Sequence, residues 1–141
     1  MAGGIGSRFW PISRTDFPKQ FLDILNTGRT LIQATYDRFV KFIPAQNIYV
    51  VTFEQYKDIV AKQLPELPEE NILCEPSRKN TAPCVAYISY KLLQLNPNAN
   101  LICAPSDHLI SDEEGFKKIC TDALQFTAHI KALITLGIKP T

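Results

Sequence analysis

The chain has 141 residues, 45% hydrophobic and 21% charged, and its 15 lysines and arginines against 14 aspartates and glutamates give a net charge of +1. This balance fits one globular domain with a real core, and it excludes an overall field that would recruit nucleic acid or an acidic membrane surface. No apolar run approaches the ~18 residues that a membrane span needs. The first residues lack a charged region followed by an apolar segment, so we do not expect export.

The cysteines also bear on the compartment. They are widely spaced, form no C-x-x-C pair and have no neighbouring histidine at metal-ligand spacing, which favours reduced side chains without a chemical role. We therefore predict a cytoplasmic protein with four free thiols, which are those of Cys74, Cys84, Cys103 and Cys120.

Short β-branched apolar runs alternate along the chain with stretches of helical period. This alternation predicts an α/β fold of Rossmann-like type, with a mainly parallel sheet and helices on both of its faces. The strands should be covered on both sides, because their hydrophobicity is two-sided. They are predicted at 48–52, 72–74, 101–104 and 133–136.

Four helices are predicted between and after these strands. The first follows Thr30, a suitable N-cap, and carries an apolar stripe at 32–43. The second spans 54–64, and the third is capped by Thr81 and ends at 96–98, where Asn-Pro-Asn breaks it. The fourth begins at Asp112, because two glutamates follow and negative charge favours a helix N-terminus.

Both ends of the chain look cut. A glycine loop of this kind should follow a strand, yet only Met1 and Ala2 precede Gly3 and Gly4. At the other end, the last predicted strand leads directly into 137–141. We expect one element to be missing at each end.

The segment from Gly3 to Phe21, GGIGSRFWPISRTDFPKQF, is the most informative part of the sequence. It is neither a Walker A loop nor G-x-G-x-x-G. Its glycines can let backbone N–H groups converge on an anion, while Arg8 offers a fork of donors to phosphate and Lys19 a mobile point charge. Taken alone, the glycines could equally form a tight turn beside solvated surface charges.

Three blocks in order decide between these readings. The first, Gly4-x-Gly6-Ser7-Arg8 with Pro11 and Pro18-Lys19, resembles the signature of nucleotidyltransferases that join a nucleoside triphosphate to a sugar 1-phosphate. The blocks EPSRKNTAP at 75–83 and PSDHLI at 105–110 resemble motifs of the mannose-1-phosphate guanylyltransferase branch. The resemblance spans the whole chain, with serine at Ser7 for the commoner threonine and lysine at Lys79 for the commoner arginine.

This resemblance implies a nucleotidyltransferase domain over 1–141, of which the chain is the N-terminal, nucleotide-binding part. It implies transfer of GMP from GTP to mannose 1-phosphate, giving GDP-mannose and pyrophosphate, with Mg²⁺ as cofactor. A homo-oligomer is compatible with the sequence. The sugar-phosphate site, a downstream lysine and a second metal-binding aspartate of such enzymes are not in the chain. The residues that the resemblance assigns to the nucleotide are Ala2, Gly3, Gly4, Gly6, Ser7, Arg8, Lys19, Glu75, Asn80 and Thr81.

Base recognition is expected at Glu75, directly after a predicted strand. Guanine offers two adjacent N–H donors, and one carboxylate can accept both. Alternatively, Glu75 orders the loop through Arg78 or backbone amides, and Asn80 with main-chain groups reads the base. The sequence gives these two interpretations equal weight.

Asp107 follows the predicted strand at 101–104 and is expected to bind the metal, since Mg²⁺ usually takes one or two carboxylates together with substrate phosphates. Capping or turn formation is its alternative role. Together with Arg8 and Lys19, Asp107 completes the predicted catalytic set. His108 is as compatible with a packing role as with substrate contact.

Two other functions remain in view. The first is a sugar-1-phosphate nucleotidyltransferase with another base or sugar, because no sugar-contacting residue is visible. The second is a non-catalytic nucleotide-sensing module, against which Asp107 argues because a sensor needs no catalytic metal.

Overall fold

A computed structural model describes residues 1–4, 9–77 and 80–137. Its longer elements are α1 (Leu31–Val40), β1 (Val50–Phe53), α2 (Lys57–Gln63), β2 (Ile72–Glu75), α3 (Thr81–Leu95) and α4 (Glu113–His129). Single 3-10 turns lie at Lys19–Phe21, Ala45–Asn47, Glu54–Tyr56 and Glu69–Asn71. None of the helices within the described ranges has the length and apolar character to cross a membrane.

Strands β1 and β2 pair in parallel, with Val50 opposite Ile72 and Val51 opposite Leu73. Because successive strand residues point to opposite faces, each strand feeds two cores. Val50 and Ile72 belong to a cluster with residues of α1 and α2, whereas Val51 and Leu73 pack with Cys84 and Ile88 of α3. The predicted α/β class, with a parallel sheet covered on both faces, is confirmed.

Two predicted strands were wrong, because neither 101–104 nor 133–136 is a strand in the structure. A strand requires a hydrogen-bonded neighbour along its length. Within the described residues, the sheet contains only β1 and β2. The second of these segments is also open to solvent, and its Leu133 is fully exposed.

The predicted helix starts were largely confirmed. Thr30 caps α1, and it forms a capping box in which its side chain accepts from the Gln33 N–H while the Gln33 side chain accepts from the Thr30 N–H. The Asp112 side chain caps α4 by accepting from Gly115 N at 2.9 Å. At α3 the prediction was off by one residue: Thr81 is the first helical residue, and Asn80 takes the N-cap position.

Residues Met1 and Ala2 bond to β1 and to the segment 104–106 without forming a strand of the sheet. The Ala2 N–H donates to Val51 O at 2.8 Å. On the other side, Met1 N donates to Ala104 O at 2.9 Å and Ser106 N donates to Met1 O at 3.1 Å. This alternation is the pattern of a parallel pair. The start of the glycine loop therefore lies between β1 and the segment that leads to Asp107.

Candidate nucleotide and metal site

Within the described residues, Lys19, Glu75 and Asp107 come together around residues 1–4, near the carboxyl ends of β1 and β2. The buried Gln20 side chain fixes this short segment: its Nε2 donates to Ala2 O at 2.9 Å and to Gly4 O at 3.0 Å. Thr52 adds a hydroxyl donor to Ala2 O at 3.2 Å. The turn Lys19–Phe21 is thereby attached to the entry of the glycine loop, and it brings Lys19 to the same edge of the sheet.

Lys19 and Asp107, two of the three predicted catalytic residues, are in direct contact. Lys19 Nζ lies 2.6 Å from Asp107 Oδ2, and each side chain is 23% exposed. The same ammonium lies 4.7 Å from the centroid of the Phe9 ring, in cation–π range. On the main chain, Lys19 N donates to the buried Ser13 Oγ at 2.9 Å. Both the backbone and the charged end of Lys19 are therefore held in place.

Helix α1 holds the loop that carries Asp107. Thr35 Oγ1 donates to Ser106 O at 3.3 Å, and Arg38 Nη2 donates to His108 O at 3.4 Å. Arg38 is 5% exposed and also forms an ion pair with Glu113 of α4, at 3.5 Å. These bonds fix the main chain on either side of Asp107 and leave its carboxylate free to point towards Lys19. The His108 contact is made by its carbonyl, and its side chain is exposed.

Glu75 is the last residue of β2 and lies beside Gly3. A Cβ placed on Gly3 would lie 3.4 Å from Glu75 Oε2 and 2.9 Å from Phe53 Cε2. Burial raises the pKa of Glu75 above its usual value, and a hydrogen bond with Cys84 opposes this shift. Burial raises the pKa of the Cys84 thiol to about 11. The thiol is therefore protonated at neutral pH and can donate to the carboxylate.

The remaining predicted nucleotide residues divide into two groups. Asn80 and Thr81 form the exposed start of α3, one turn before Cys84, and Asn80 has φ 66°. Residues other than glycine rarely adopt a backbone conformation with positive φ, and such strained residues often cluster at functional sites. The other group lies outside the described residues: Gly6, Ser7 and Arg8 of the glycine loop, and Arg78, the alternative partner of Glu75.

The Asp107 carboxylate has suitable chemistry for Mg²⁺, which prefers hard oxygen ligands. Across ranges 1–4, 9–77 and 80–137, no three His, Cys, Asp or Glu side chains come together in a way that could hold a metal. A single carboxylate fits an ion that takes most of its ligands from water and substrate phosphates.

Gly3 and Gly4 allow a matched test of this packing. Gly3→Ala should lower the free energy of unfolding by about 1–3 kcal/mol, because its methyl group meets the Phe53 ring. Gly4→Ala should change it little, because among the described residues no atom beyond the chain neighbours of Gly4 lies within 4 Å of the added Cβ. Urea denaturation followed by circular dichroism measures both. Equal losses in the two variants would contradict the close approach at Gly3.

Sequence reasoning missed the residues that support the site. Gln20 stands inside a recognised block, but nothing in its surroundings distinguishes a buried amide from a surface one. Thr35 and Arg38 lie on α1, far along the chain from Asp107. The sequence carried no signal for Arg38, because it lies outside the predicted apolar stripe of α1 and arginine is rarely buried unless it is paired.

Comparison with known proteins supplies the wider context. The family described as "Nucleotidyl transferase" matches residues 1–141. The chain is 44% identical to a mannose-1-phosphate guanylyltransferase of Salmonella montevideo, and 38% identical to one of Escherichia coli K12. These alignments cover 100% and 99% of this chain, but only 29% and 30% of the relatives. The chain therefore spans about three tenths of the length of these curated relatives.

A solved structure is also similar. It is described as a mannose-1-phosphate geranyltransferase from Thermus thermophilus and superposes with a TM-score of 0.76 at 30% identity. The match covers 90% of this chain and 36% of that one.

Proposed function

This chain belongs to the nucleotidyl transferase family, and from that premise we propose that it is the triphosphate-binding part of an enzyme that makes GDP-mannose. The reaction transfers GMP from GTP to mannose 1-phosphate and releases pyrophosphate. Its relatives named mannose-1-phosphate guanylyltransferase support this choice of substrates. The free cysteines favour a reducing, cytoplasmic setting for the enzyme.

The observation that carries the proposal is the Lys19–Asp107 contact beside residues 1–4. A cation for phosphate and a carboxylate for a metal lie within 2.6 Å of each other. Each comes from a different sequence block, and both are fixed through their main chains. Phosphoryl transfer needs this combination, since its catalysis consists largely of positioning and charge neutralisation.

In the proposed reaction, an oxygen of mannose 1-phosphate attacks the α-phosphorus of GTP. A new bond forms between this oxygen and the α-phosphorus. The bond between the α-phosphorus and the oxygen that bridges it to the β-phosphate breaks, and pyrophosphate leaves with the electron pair. The attacking phosphate is already an anion near neutral pH, so no general base is needed. The task of the protein is to hold two anions in line.

Each charged residue has a distinct part in this task. Lys19 would donate to phosphate oxygens as a point charge, and Arg8 would add a planar fork of donors. Asp107 would hold Mg²⁺. When bound, the metal supplies charge neutralisation at the phosphates and keeps them in a fixed geometry.

Glu75 is the proposed reader of the guanine base. Its carboxylate lies next to Gly3, at the edge where the loop begins, and can accept two N–H donors from guanine in charge-assisted bonds. Adenine offers no such pair, so this residue would favour GTP over ATP.

Titration of the chain with GTP and with ATP, each with Mg²⁺, tests the proposal. Trp10 is 77% exposed and follows Phe9, which contacts the Lys19 ammonium. Its fluorescence should change saturably with GTP, and clearly less with ATP at equal concentration. Circular dichroism confirms that the sample is folded. A folded chain that responds to neither nucleotide would contradict the triphosphate site, and an equal response to both would favour a transferase with another base.

A further inference from the structure

We propose that Lys19 occupies the cation position on Asp107 while the site is empty of nucleotide, and that the incoming triphosphate opens the metal site by drawing Lys19 away. The lysine would thus exchange partners, from carboxylate to phosphate, and Asp107 would exchange Lys19 for a divalent ion. This inference rests on the proposed function, since it takes Asp107 as the metal ligand.

The geometry sets the two cations in competition. Lys19 Nζ lies 2.6 Å from Asp107 Oδ2, which is hydrogen-bonding distance. A divalent ion bound to the same oxygen would sit about 2 Å from it, and it would repel an ammonium that stayed in place. With no further acidic, thiol or imidazole groups assembled beside Asp107 in the described chain, a bare ion has little to offset this repulsion.

The hydrogen bonds that fix this segment do not involve the Lys19 side chain. The Lys19 backbone is tied to Ser13, and its neighbour Gln20 holds Ala2 and Gly4. Only the flexible side chain, 23% exposed, has to swing. The Lys19 ammonium also contacts the Phe9 ring, and this aromatic face can stabilise the positive charge during the exchange.

Coupling between metal and nucleotide follows from a shared lysine. A triphosphate that binds Lys19 removes the competitor of the metal, and by linkage a metal on Asp107 makes Lys19 available to phosphate. The two ligands would then bind with positive cooperativity, and the empty site would resist occupation by free divalent ions.

The test measures binding of bare Mn²⁺, without any nucleotide, from the electron paramagnetic resonance signal of the free ion. Lys19→Met should raise the affinity of the chain for Mn²⁺ roughly tenfold, because it removes a contacting positive charge. The control Lys57→Met removes the same charge from an exposed ion pair, that with Glu69 at 3.2 Å. It should leave the affinity nearly unchanged. Adding Asp107→Asn to Lys19→Met should abolish the gain.

The outcomes separate this inference from the proposed function. No gain in Lys19→Met, an equal gain in Lys57→Met, or a gain that survives Asp107→Asn would each overturn the exchange of partners. None of these results depends on GTP, so the titration of the unaltered chain judges the proposed function independently. Lys19→Gln serves as a second neutral variant if the methionine variant does not fold.

Discussion

In the full-length enzyme, Asp107→Asn should lower kcat by about a hundredfold or more while leaving the fold intact. The loss is expected because, in the proposed site, the Asp107 carboxylate holds the metal against the transferring phosphate, and an amide lacks that charge. Stability should change little, since a partly exposed ion pair such as that with Lys19 contributes roughly 0–1 kcal/mol. Steady-state kinetics with GTP and mannose 1-phosphate, together with thermal unfolding, measure both quantities.

Asp37→Asn is the matched control. Asp37 is also ion-paired, with Arg29, but its carboxylate is partly exposed and its hydrogen bonds among the described residues go to Arg29. Its replacement should leave kcat unchanged. If Asp107→Asn kept a kcat near that of the unaltered enzyme, the proposed role of Asp107 as a metal ligand would be contradicted.

The second large effect is expected on base choice. Glu75→Gln should reduce the preference for GTP over ATP by about ten- to hundredfold, because an amide offers guanine one acceptor and one opposing donor instead of two acceptors. Competition binding of the two nucleotides measures the ratio. Glu70→Gln, an exposed carboxylate on a 3-10 turn, is the control.

The pH dependence gives an independent check on Glu75. Burial raises the pKa of this carboxyl in the folded chain, so it takes up a proton at a higher pH than it would when unfolded. Its contribution to folding is therefore favourable below the unfolded pKa and is lost as pH rises through the folded pKa. Glu75→Gln, which is neutral at every pH, should not lower stability at pH 7.

Guanine binding should show the opposite trend, because it needs the ionised carboxylate. The preference for GTP over ATP should decline as pH falls through the raised pKa of Glu75, and it should decline at a higher pH than an ordinary carboxyl would give.

A Glu75→Gln variant that weakens the binding of GTP and ATP equally would instead favour the alternative, in which Glu75 orders the loop.

Features with local signals could be predicted from the sequence. The capping side chains of α1 and α4 lie within a few residues of the backbone groups that they cap; they are Thr30 with Gln33, and Asp112. The starts of both helices could therefore be predicted from the local sequence. The β-branched runs behind β1 and β2 were also recognised. Strand pairing is different: 101–104 has suitable residues, but a strand also needs a neighbour along its length, which composition does not reveal.

The candidate site shows the same division. Motif order predicted site roles for Lys19, Glu75 and Asp107 one by one, because each lies in a recognisable block. Their contacts depend on how α1, β1 and the loop at 104–106 pack, and this packing brings together residues far apart in the chain. Hence the Lys19–Asp107 pair and the support from Gln20 and Arg38 emerge only from the structure.

Residues Met1 and Ala2 link β1 to the loop at 104–106 and at the same time begin the glycine loop. A ligand bound at the proposed site would therefore contact a segment that bonds both to β1 and to the loop at 104–106. Binding to the folded state alone adds its free energy to stability by mass action. If the proposed nucleotide binds there, occupancy and folding share one equilibrium, and the rate at which proteases degrade the protein should fall as the nucleotide concentration rises.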